Sequence, residues 1–115
     1  MATKFQTLGR DVFTTNLAVE ATGNSQATAT LLTATTNVVT ASTATTGIGL
    51  RLPAQWTPGD RMYVANVTGN ALSVFPPAGK KVNGGSDDAA VTLKANAMAV
   101  FLSVGDDNWA AVLDS

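Results

Sequence analysis

Arg61-Met-Tyr-Val-Ala-Asn-Val67, then Thr68-Gly-Asn70, then Ala71-Leu-Ser-Val-Phe75, is the stretch whose reading decides the fold. The first run is β-type and apolar on both faces, the pattern of a strand covered on both sides and hence central in its sheet. Thr68-Gly69-Asn70 is a compact turn signal, and the run after it resumes β character, so the stretch reads as a hairpin. Working outward, Gly47-Ile-Gly-Leu-Arg-Leu52 alternates with Ile48, Leu50 and Leu52 on one face, and Pro53 ends it. Trp56-Thr-Pro-Gly-Asp60 reads as a turn, and Pro76-Pro-Ala-Gly79 breaks the chain again.

The flanks follow the same grammar. Ala27–Thr33 alternates and is rich in Thr, and Asn37–Thr40 is a second short run, with Ser42–Thr46 polar enough for a loop. Lys80–Asn83 predicts a brief strand before Gly84-Gly85. Val91, Leu93 and Ala95 alternate with Thr92 and Lys94. Met98, Val100, Leu102 and Val104 share one face of the next run, opposite Ala97, Ala99, Phe101 and Ser103. Gly105–Asn108 predicts a hairpin loop, and Trp109–Leu113 a closing strand. Eight or nine short strands at this spacing, with no capped helical periodicity after Gln26, predict an all-β body. The expectation is an antiparallel β-sandwich, jelly-roll-like.

Residues 1–25 read differently. Phe5, Leu8, Val12, Phe13, Leu17 and Val19 are spaced too irregularly for a clean strand, and Thr14-Thr15-Asn16 opposes a helix. Thr22-Gly-Asn-Ser25 closes the segment with breakers. It is read as an extended N-terminal arm ahead of a β domain over 26–115, although a first strand followed by a loop fits the same residues. Extended at about 3.3 Å per residue, such an arm reaches roughly 80 Å, enough to lie across a neighbour or join its sheet edge. Those six apolar residues are its candidate interface anchors.

Composition narrows function. The chain has 115 residues, seven basic and eight acidic, with no cysteine and no histidine. The size suits one domain. Without cysteine there is no disulfide scaffold, zinc ribbon or thiol chemistry, and without histidine no Ser/His or Cys/His relay. A net charge of −1 lacks the basic patch of a nucleic-acid binder. Charged residues are only 13% of the chain, against about 25% in ordinary soluble domains, while Thr numbers 17 and Glu one. A charge-poor, Thr-coated surface suits a protein crowded against other proteins. Met1–Thr7 has no apolar signal core, and no run approaches the ~18 apolar residues of a membrane span. Synthesis in a reducing, non-secretory compartment, the cytoplasm, with no membrane partner, is the expectation.

Candidate chemistry is thin. Asp87-Asp88 and Asp106-Asp107 lack the spacing of a calcium loop and read as hydrophilic turns. Asp60 with a second Asp would need a cleft and an aromatic platform to act on a glycoside. Gly79-Lys80-Lys81 lacks the frame of a phosphate loop, and Gly84-Gly85 reads as a turn needing positive φ. Trp56 and Trp109 read as core lids before they read as a sugar platform. Asn66-Val67-Thr68 matches a glycosylation acceptor that a cytoplasmic protein does not use.

Three segments resemble a known class: Thr46–Ala54, Gly59–Gly79 with Val82-Asn-Gly-Gly85, and Ala99–Val112 with its Trp-led last strand. From Gln26 to Leu113 the chain resembles small β domains of tailed-bacteriophage virion proteins, especially capsid decoration (cement) proteins. The resemblance implies a sandwich or jelly-roll module, often trimeric, with no enzymatic activity, no catalytic residues and no cofactor. It implies the major capsid protein and further copies of the chain as partners, on the outer surface of the virion head. The alternative is a receptor- or glycan-binding module of a tail or head fibre.

Overall fold

Buried and exposed side chains alternate along β5 and β8, so each of these strands presents one face to the interior and one outward. The structure is a computed structural model describing residues 14–42 and 48–113. Among these residues there are nine strands and no helix: β1 (Thr15–Glu20), β2 (Thr30–Leu31), β3 (Thr36–Ala41), β4 (Gly49–Arg51), β5 (Arg61–Asn66), β6 (Leu72–Phe75), β7 (Val91–Leu93), β8 (Met98–Gly105) and β9 (Asn108–Leu113). They form two mixed sheets, ordered β1-β3-β5-β8-β9 and β2-β4-β6-β7. The all-β expectation holds, and β5 is central in its sheet, but only its Met62, Val64 and Asn66 face is buried, so it is not covered on both sides.

The expectation of antiparallel sheets does not hold. β1, β3 and β5 run parallel to one another, as do β2, β4 and β6. Only β5–β8, β6–β7 and β8–β9 are antiparallel, so the ladders a jelly roll is built from are in the minority. From β1 to β6 the chain changes sheet at every connection. Parallel neighbours need a crossover, and here the crossover is a strand of the opposite sheet rather than a helix. The predicted hairpin Arg61–Phe75 is corrected with it, because β5 and β6 lie in different sheets. The hairpin at Gly105–Asn108 is present, joining β8 to β9.

Both sheets feed one hydrophobic cluster. Val39, Met62, Val64, Phe101 and Trp109 enter it from the five-stranded sheet, and Leu50, Leu72, Val74 and Leu93 from the other. Burying side chains of this size is worth about 1.5–3 kcal/mol each, which makes the cluster the main source of stability. Gly49 marks where the crossings crowd. A Cβ there would sit 2.9 Å from the Ala29 Cβ and 3.0 Å from the Thr22 carbonyl oxygen.

Part of the segment read as an arm belongs to this body. Thr15–Glu20 pairs with β3, and Val19 and Ala21 are core residues. Residues 1–13 lie outside the described residues. Ala27–Thr33 contributes only Thr30-Leu31 as strand, and Lys80–Asn83 only one bridge, Val82 to Trp109.

Candidate interaction surface

The outer face of the five-stranded sheet is apolar where a solvated sheet would be polar. Pairing sets Tyr63 opposite Val100 and Arg61 opposite Leu102, then Val100 opposite Val112 and Leu102 opposite Ala110. These side chains point away from the core, since Met62, Val64, Ala99 and Phe101 between them are buried. Val112 is 75% exposed, Val104 55% and Met98 46%. A shallow groove runs along this face, with Val100, Leu102, Ala110 and Val112 on its walls and Arg61 supplying the charge. Three strands about 4.8 Å apart and about 20 Å long make an apolar patch of roughly 300 Å². Patches of that size on a monomer are often functional.

The other outer face is more mixed. There Arg51 pairs with Leu31 and Phe75, and Ser73 with Thr92. Leu31 is exposed beside Arg51, Pro77 and Ala78, which line a second shallow depression.

The sequence-predicted interface anchors separate. Phe5, Leu8, Val12 and Phe13 lie outside the described residues. Leu17 is 65% exposed on β1, available for contact. Val19 is sealed in the core and is not free to anchor a neighbour. In the sequence Arg61–Val67 and Ala97–Val104 are apolar on both faces, whereas Ala110 and Val112 are not among the expected interface residues. The signal for them was the same: Trp109-Ala-Ala-Val-Leu113 is apolar without interruption.

The acidic pairs act as turn residues. Asp88, at φ 65°, accepts the Gly79 backbone N–H at 2.6 Å and the Gln26 amide at 3.0 Å. The Gly79 bond first, then the Gln26 bond, hold its carboxyl below the ordinary 3.8. Asp87 pairs with Lys81 at 2.7 Å and Asp106 with Lys80 at 3.5 Å, both at the surface. Asp107 accepts the Gln55 backbone N–H at 2.7 Å. Among the described residues no three His, Cys, Asp or Glu come together as a metal site.

Trp109 is buried and Trp56 half-buried against it, ring centroids 6.3 Å apart and planes tilted by 41°. The Trp109 ring is sealed in the core, while Trp56 keeps part of its surface open to solvent. Asn66 is buried, and its amide nitrogen donates to the carbonyls of Asn70, Lys94 and Leu93 at 2.8, 3.0 and 3.4 Å. An amide committed in this way is not presented to a glycosylating enzyme.

No family model, curated protein or solved structure matches the chain.

Proposed function

We propose that the protein is a structural virion component: a capsid decoration (cement) protein, without enzymatic activity, that binds the outer face of a phage head and ties neighbouring capsomers together. The apolar outer face of the five-stranded sheet carries this reading. A surface of that chemistry, on a chain with so few charges, is built to be covered by protein. The patch is small beside the ~800 Å² per partner of a standard stable interface, so a single contact through it is weak. Repetition over a lattice turns weak contacts into firm attachment, because each further contact of an oligomer is made at high effective concentration. In this reading the two sheets are the layers of a β-sandwich, the chain works as a homo-oligomer, and its N-terminal arm adds contacts. A trimer is favoured by the resemblance to phage virion domains. The burial of Trp109 weighs against the glycan-binding alternative, which needs an exposed ring and has only the half-buried Trp56 left to supply it.

Electron microscopy of purified virions carrying labelled protein tests this. Label at regular positions over the head is the expected result. Label at fibre tips would favour the receptor-binding alternative, and virions without label would overturn both.

A further inference from the structure

We propose that Asn83-Gly84 is a site of spontaneous deamidation, held back by the bonds that tie Asn83 to β9, and that its conversion opens the β9 edge irreversibly. The inference stands on residues between Val82 and Val112 and is independent of the virion reading.

The pair begins as turn chemistry. The Gly85 N–H donates to the Val82 carbonyl at 3.1 Å, with Asn83 at φ 56° and Gly84 at φ 68°. Two successive positive φ values make a tight turn of the kind that favours Asn-Gly. The same pair readily loses its amide. The Gly84 nitrogen attacks the Asn83 side-chain carbonyl carbon, a cyclic imide closes, and the side-chain nitrogen leaves as ammonia. Water then opens the imide. Opening at the side-chain carbon leaves an aspartyl residue, and opening at the main-chain carbon leaves an isoaspartyl linkage with an extra methylene in the backbone. A side chain on the following residue hinders the attack. Each of the other seven asparagines precedes such a residue, and Asn83 alone precedes glycine. Asn83, Gly84 and Gly85 are exposed, and a Cβ at Gly84 would meet nothing within 4 Å, so neighbours obstruct neither ring closure nor water.

What restrains the reaction is the hold of Asn83 on β9. Its side-chain nitrogen donates to the Ala111 carbonyl at 3.2 Å, and its oxygen accepts the Ala111 N–H at 2.8 Å. Its own N–H donates to the Trp109 carbonyl at 2.8 Å. Both polar atoms on the reacting carbon are thus engaged, and turning that carbon toward the Gly84 nitrogen breaks both bonds. Reaction passes through the fraction of chains in which this clamp is open. Conversion removes the way back. An aspartyl carboxylate has no proton to donate and sets a charged oxygen against the Ala111 carbonyl. The isoaspartyl form lengthens the turn itself. Either way Ala111 loses its partner on an edge strand, beside Val112, which is 75% exposed. An edge freed in this way pairs with other chains.

Peptide mapping by mass spectrometry of the full chain, aged at mildly alkaline pH, tests this. In urea, Asn83 is expected to convert ahead of the other asparagines. In the folded chain it should still convert, but at least about tenfold more slowly, because only open clamps react. Folded chains so converted should lose hydrogen-exchange protection at Ala111 and self-associate faster than fresh ones. Asn83→Asp is expected to show the same loss at Ala111, and the aged chain supplies that measurement should the variant fail to fold. Equal rates in the folded chain and in urea overturn the inference, since the clamp then restrains nothing. So does a folded chain that never converts at Asn83, and so does a converted chain with Ala111 as protected as before.

Discussion

Asn66 shows what one buried amide does in a fold built on crossings. It ends β5, and its nitrogen gathers three carbonyls, Asn70 in the turn, Leu93 at the end of β7 and Lys94 just after it, while its oxygen accepts the Thr68 N–H at 3.0 Å and the Thr68 hydroxyl at 2.7 Å. These bonds turn the chain out of the five-stranded sheet and toward the other. Removing the side chain leaves several buried groups unpaired, at about 1–3 kcal/mol each. Asn66→Ala is therefore expected to cost about 3 kcal/mol in chemical denaturation. Asn66→Asp should cost at least as much, because it sets a carboxylate oxygen against the same carbonyls. Asp88 is a second residue with a disproportionate role, tying Gly79 and Gln26 to the loop before β7. Its folded pKa lies below the ordinary value, so its contribution is present above about 4 and is lost as pH falls through the lowered folded value. Acidification should release the Gly79 amide, seen as a fall in its hydrogen-exchange protection factor below pH 4, and Asp88→Asn should flatten that dependence.

At the scale of elements, existence was more legible than partnership. β6 and β8 stand where alternation predicts them, and β5 and β9 where short apolar runs bounded by turn signals do. Partners are a different matter. Thr68-Gly69-Asn70 has hairpin chemistry, yet the Asn66 side chain takes the Asn70 carbonyl and the strands part into different sheets. Period two identifies a strand without saying which strand lies beside it. Ala27–Thr33 yields only two strand residues, since Ala29 and Leu32 are buried on either side of the Thr30-Leu31 pair where the chain crosses between layers. The candidate surface was half legible: two of its strands were visibly apolar on both faces, but only the ladder shows that β9 extends them. Asn83 explains how β9, an edge strand, is covered. Its side chain donates to the Ala111 carbonyl at 3.2 Å and accepts the Ala111 N–H at 2.8 Å, standing in for a neighbouring strand. Backbone bonds at Trp109 continue the cover. Asn83→Ala removes both contacts and places Ala at φ 56°, where Asn is tolerated better. The expected loss is about 1–2 kcal/mol, with faster amide exchange at Ala111 and greater self-association through the freed edge.

For the molecule as a whole, the winding of the chain between sheets sets the order in which it can fold. Thr15 pairs with Thr36 and Thr36 with Tyr63 in one sheet, while Thr30 pairs with Leu50 and Leu50 with Val74 in the other. Each of these pairings closes a loop of roughly twenty residues or more before any bond rewards it, and closure entropy must be met first. Only β8–β9 is a local hairpin, and it carries Phe101 and Trp109, the largest core side chains. This hairpin is the one place where a long core-forming contact comes with a short loop, so it is the expected nucleus, with β5 adding next through its antiparallel ladder to β8. The parallel winding of β1 to β4 should consolidate last. Folding is accordingly expected in milliseconds to seconds, as for other proteins dominated by non-local strand pairing. Stopped-flow fluorescence of a Trp56→Phe chain reads this through Trp109, which passes from water into the core. Truncation in the hairpin, such as Ala111→Gly, should slow folding, whereas Val39→Ala in β3 should mainly speed unfolding. Folding in microseconds, or a Val39→Ala effect confined to the folding rate, would show that the winding forms first and would refute this order.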